Sequence, residues 1–90
     1  MDPFYNHLPP EEAVEIEKLS RLMYEVRTAR DEMLSRLNAS TAEQALAAIL
    51  SGDLPEHPGY EHYLSVRMLS DLHAQVRADV AARLAEVNAR

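Results

Sequence analysis

The stretch PEEAVEIEKLSRLMYEVRTARDEMLSRL, running from Pro10 to Leu37, decides the fold. Within it Ile16, Leu19, Met23, Val26, Met33 and Leu37 recur in alternating three- and four-residue steps, interrupted only at Arg30. That period is the heptad seam of an α-helix; a half-buried strand would alternate every second residue. Leu22, Ala29 and Leu34 flank the seam, widening the apolar arc to about 140° at about 100° per residue, as in a helix that touches more than one neighbour. Pro10 suits a first helical position, and Glu11 and Glu12 put negative charge at the positive end of the helix dipole. Asn38 is a stop signal, so the pattern predicts a helix over 10–37.

Beyond Asn38 a second start follows at once. Ser40 with Glu43 fits a capping box, and Thr41 with Gln44 serves equally. The helix it opens, over 41–51, ends before Gly52 and shows an apolar face of Ala42, Ala45, Leu46, Ile49 and Leu50, which Leu54 continues. A third helix is expected from Pro58 or Gly59 to about residue 88. Its heptad set is His62, Val66, Leu69, His73, Val76, Val80 and Val87, with Arg83 at the remaining seam position and Leu84 beside it. Leu64, Met68 and Leu72 add a second stripe in its first half only.

The two glycines and five prolines fall at or beyond the ends of these periodic stretches, and no segment reads as a strand. The expectation is therefore an all-α chain: an N-terminal arm over 1–10 and a single helical domain over 11–90, folded as long helix, short helix, long helix. The short helix, about 15 Å long at about 1.5 Å per residue, covers only the connector-proximal ends of its two neighbours, which form an antiparallel helical hairpin. At the other end Ile16, Leu19, Leu22 and Met23 face Val76, Val80, Leu84 and Val87 without a third helix. Two helices alone bury little, so those eight residues are expected to meet a second copy, giving a homodimer with a four-helix core. Ala78, Ala82, Ala85 and Ala89 are spaced for a close helix contact, but alanine also fills exposed helix positions for its propensity alone. In the arm, Phe4, Tyr5 and Leu8 are apolar enough to dock, on their own helix ends or on a partner's Tyr60 and Tyr63.

The chain has 90 residues, 47% of them hydrophobic and 27% charged, with a net charge of −6. That charge repels phosphate backbones and anionic membranes, so neither nucleic acid nor membrane is expected as a partner. Without cysteine the chain has no disulfide, thiolate metal site or cysteine nucleophile. No basic, apolar leader opens the sequence, and a cytoplasmic protein is expected.

Chemistry concentrates in Glu56–Tyr63, where His57, Glu61 and His62 are candidate metal ligands or proton carriers beside Tyr60 and Tyr63. His57 and His62 are five apart, however, and no Glu-x-x-His or His-Glu-x-x-His pattern supports them. Polar residues capping a turn are the default reading of the segment, so no cofactor is expected. His73, at a seam position, is a candidate pH switch or an edge histidine; Arg30 is a candidate register-setting residue or a side chain whose stem covers apolar surface. Glycine-rich phosphate loops and nucleophile elbows are absent, which favours a protein that is not an enzyme. The functional expectation is a small adaptor or regulatory protein acting through protein–protein contacts as a homodimer. The alternatives are a metal-dependent or catalytic protein using Glu56–Tyr63, and an acidic inhibitor that mimics nucleic acid.

Overall fold

A computed structural model describes residues 10–89, and those residues are all-helical apart from their connections. Helix α1 spans Pro10–Arg36, α2 Ala42–Ser51 and α3 Glu56–Asn88. The expected arm, with Phe4, Tyr5 and Leu8, lies outside the described residues apart from Pro10, which begins α1.

Each boundary has a local cause. At the end of α1, Asn38 takes a left-handed backbone with φ 51°. The Ala39 N–H then donates to the Leu34 carbonyl at 3.1 Å and the Asn38 N–H to the Ser35 carbonyl at 3.1 Å, closing a Schellman motif. Helix α2 is capped by Thr41, whose hydroxyl accepts from the Gln44 N–H at 3.1 Å, while the Gln44 side chain accepts from the Ser40 N–H at 2.9 Å. Of the two starts offered by the sequence, the Thr41–Gln44 pair is the one used, one residue later than Ser40–Glu43. Gly52, with φ 84°, stops α2 in the left-handed region. In α3, His57 is extended, with φ −117° and ψ 125°, because the residue before a proline is driven out of the helical region. The continuous helix therefore begins at Pro58, as the sequence suggested.

Helix α1 packs along α3, and α2 packs mainly on α3. The hydrophobic core lies where all three meet: Leu37, Ala45, Tyr63 and Val66 are buried, with Met33, Leu34, Leu46, Ile49 and Leu54 packed around them. Gly59 is buried there too; a Cβ on it would lie 3.4 Å from Leu54 and 3.7 Å from Ile49, ordinary contact distances, so the connector rests against α3 at this point. Away from this junction only the α1–α3 seam continues. Ile16 is 1% exposed, and Val26 and Val76 are also buried, whereas Leu19, Met23, Val80, Leu84 and Val87 are half-buried. The molecule measures 54 × 22 × 16 Å with a radius of gyration of 17.4 Å, against roughly 12 Å for a compact domain of this length.

One expectation is corrected. Leu50 does not belong to the packed face of α2: it is 78% exposed, because Ala45 is the side chain that points into the junction and Leu50 sits about 140° further round the helix. The stripe Leu64, Met68, Leu72 is not the surface that α2 covers. All three are exposed, since α2 settles on the Gly59–Tyr63–Val66 flank of α3 and the stripe points away from it.

Candidate functional site

The polar segment expected to carry chemistry is built at the start of α3. The extended His57 turns its ring back so that Nδ1 lies 2.7 Å from Glu61 Oε1. Both side chains are largely open to water. The Glu61 carboxylate raises the His57 imidazole above its ordinary value, through their hydrogen bond first and its charge second. Glu61 in turn is held below the usual carboxylate range, chiefly by a bond from its own backbone N–H and next by His57. Its backbone carbonyl accepts from the Ser65 hydroxyl at 3.1 Å. His62 is half-buried on another side of the helix. Among the described residues no three of His, Cys, Asp and Glu form a group able to hold a metal ion. The arrangement His57–Glu61 is a solvated ion pair at a helix start.

The aromatic members of the segment serve packing. Tyr60 and Tyr63 lie with ring centroids 5.9 Å apart, tilted by 32°. Arg67 sits over the Tyr63 ring at 6.0 Å and donates to its hydroxyl at 3.4 Å, giving that buried phenol a partner.

The two seam exceptions have different surroundings. Arg30 pairs with Asp31 at 3.2 Å and keeps 26% of its side chain exposed. His73 is half-buried beside a shallow cavity of about 120 Å³ lined by Ser20, Met23, Tyr24 and Arg27.

Sequence reasoning missed a larger cleft, of about 630 Å³, where the start of α2 faces α1 and α3. Arg30, Asp31, Thr41, Tyr63, Arg67 and Asp71 are among the side chains around it. Its cations stand next to carboxylates, Arg30 against Asp31 and Arg67 near Asp71, so no single sign of charge prevails. The capping residues Ser40 and Thr41 were its only sequence signal, and they explain themselves as caps.

Of the eight apolar residues expected to await a second copy, Ile16 and Val76 are already enclosed by the α1–α3 packing, and Leu22 is the exposed member at 39%. The remaining five are half-buried. Arg83 reaches across to Glu15 instead of back to Asp79, whose carboxylate accepts from Gln75. Leu64, Met68 and Leu72 add the largest uncovered apolar stripe on α3. Among the described residues no helix is long and apolar enough to cross a membrane.

No protein-family model, no curated protein and no solved structure matches the chain.

Proposed function

We propose that this protein is a small interaction module, an adaptor or regulator, that works as a homodimer in which two antiparallel α1–α3 hairpins close one four-helix bundle. The antiparallel arrangement is supported by the order of the contacts: Glu15 with Arg83, Met23 beside His73, and Leu37 with Tyr63 and Val66. The observation that carries the reading is the apolar surface left in water on the two long helices: Val14, Leu22 and Tyr24 on α1, and Tyr60, Leu64, Met68 and Leu72 on α3. A helix pair with a radius of gyration of 17.4 Å has too little interior to hide them, and a second hairpin supplies the missing layer.

A cytoplasmic site of action with protein partners accords with the −6 charge, which disfavours phosphate-rich surfaces. The metal-dependent or catalytic alternative at Glu56–Tyr63 and the acidic-mimic alternative have no comparable observation behind them, since His57 and Glu61 satisfy each other.

Sedimentation equilibrium across a wide range of protein concentration tests the homodimer; single chains at every concentration overturn it. Capture from native lysate in low and high salt tests the adaptor role. Partners held by apolar faces stay bound in high salt, whereas partners held by the acidic charge are released.

A further inference from the structure

A groove runs between α1 and α3 on the side of the hairpin that carries α2, and its two ends are filled differently. At the junction end the start of α2 lies against Arg30, Asp31 and Leu34 of α1 and Val66, Arg67 and Ser70 of α3. Ser20, Tyr24 and Arg27 continue the α1 row in the same three- and four-residue steps, and with Met23 and His73 they line the shallow cavity of about 120 Å³. One period further back the row reaches Ala13, while the α3 row of Val66, Ser70 and His73 runs on to Val80 and Leu84. Among the described residues no third element reaches this end, and Ala13, Ser20, His73, Val80 and Leu84 are left half-buried.

The residues that precede Pro10 join the molecule at this open end. Phe4 lies six positions before Pro10, about 20 Å of extended chain at about 3.3 Å per residue. The cavity between Ser20 and Arg27 is centred about 20 Å along α1 from Pro10 at about 1.5 Å per residue. Leu8, two positions before Pro10, reaches about 7 Å, close to the height of Ala13 and, through the pairing of Glu15 with Arg83, of Leu84. Alternate side chains of an extended chain share a face, which puts Phe4 and Leu8 on one face and Tyr5 and His7 on the other. Pro9 and Pro10 disfavour helical backbone at the residues before them and so suit such a run. The cavity is near the roughly 150 Å³ that takes a benzene ring, and the Met23 thioether and Arg27 guanidinium on its wall both attract aromatic rings. A segment tethered this closely is presented at an effective concentration on the order of millimolar, which a separate copy does not match in dilute solution.

We propose that residues 1–9 run back along the groove of their own chain, seating Phe4 in the cavity among Met23, Arg27 and His73 and Leu8 against Ala13 and Leu84. The segment then does for the Pro10 end what α2 does for the junction. The proposal goes beyond the homodimer reading and does not rest on it: Leu22, Met68 and Leu72 line neither part of the groove and stay open to a partner.

Phe4 is the only phenylalanine, so nuclear magnetic resonance of the full chain with labelled phenylalanine reads its ring protons without overlap. Nuclear Overhauser contacts from that ring to the Met23 methyl group are expected, and in a sample mixed from labelled and unlabelled chains they are expected within a chain only. Because the chain has no cysteine, Ser20→Cys supplies a single thiol on the cavity wall. Adding Phe4→Ala is expected to speed its modification by a soluble reagent about tenfold, with helicity by circular dichroism kept. The thiol of Leu22→Cys, outside the groove, is expected to react at a rate that Phe4→Ala does not change. A Phe4 ring without contacts to Met23, or with contacts only between chains such as to Tyr60 and Tyr63 of another copy, overturns the proposal. So does a Ser20→Cys rate that Phe4→Ala leaves unmoved. None of these results touches the homodimer, which sedimentation of the wild-type chain decides.

Discussion

The junction of the three helices and the opposite end of the α1–α3 pair are made from the same kind of residue, yet they differ in what they enclose. At the junction Leu37, Ala45, Tyr63 and Val66 are all buried; at the far end Ile16 is enclosed while Leu84 and Val87 stay half in water. The difference teaches that a heptad seam between two helices hides only the residues at its centre line. A third element is needed to hide the flanks, and here that element is ten residues long.

Truncating one leucine at each end measures the contrast. Leu37→Ala removes a buried side chain from a three-sided packing and is expected to cost about 3 kcal/mol of unfolding free energy. Leu84→Ala, half-buried between two helices, is expected to cost roughly 1 kcal/mol in dilute solution. Urea melts of the two variants at low protein concentration decide it, and equal costs would remove the distinction between the ends.

A smaller pair of substitutions sharpens the account of how α2 reaches the junction. Gly52→Ala meets open space but forces an alanine to φ 84°, and about 1 kcal/mol of destabilisation is expected. Gly59→Ala adds a methyl group at ordinary contact distance from Leu54 and Ile49 and removes a glycine from the first turns of α3, so a gain of roughly 0.5 kcal/mol is expected. Thermal melts of opposite sign would confirm that Gly52 is needed for its backbone. A loss at Gly59 instead would mean that the bare surface there is essential to the seating of Leu54.

The positions of these elements were legible from the sequence because their limits are set locally: Asn38, Gly52 and Pro58 act through their own backbone preferences. The seams were legible because burial along a helix repeats with a fixed period. The flank of α3 on which α2 lands was not. Leu64, Met68 and Leu72 look as apolar as Tyr63 and Val66, and the choice between the two flanks is made by the turn at Gly52 and the closeness of Leu54 to Gly59, neither of which has a periodic signature. The same blindness applied to the polar segment. His57, Glu61 and His62 are all candidates by residue type, and the contact that forms is His57 with Glu61, four apart, an acid and a base at a helix start. The three-helix cleft depends wholly on how α2 leans, and no residue pattern announces it.

The weakest expected effect concerns that ion pair, which lies at the junction end but outside its core. Because the folded chain raises the His57 pKa, the stabilisation it provides is fully present below the ordinary value of 6.5 and is lost as pH rises through the folded value. Because the Glu61 pKa is lowered, its stabilisation is present above 4.5 and is lost as pH falls through the folded value. The pair is therefore intact from about 4.5 up to the raised His57 value, and solvent screening of two such open side chains keeps its influence on unfolding small. Nuclear magnetic resonance titration of the His57 ring is the sensitive readout: Glu61→Gln is expected to lower its midpoint, while His62→Gln leaves it in place. A midpoint unmoved by Glu61→Gln would show that the pair does not form in solution. The start of α3 would then owe its shape to the His57–Pro58 backbone and the buried Gly59 alone.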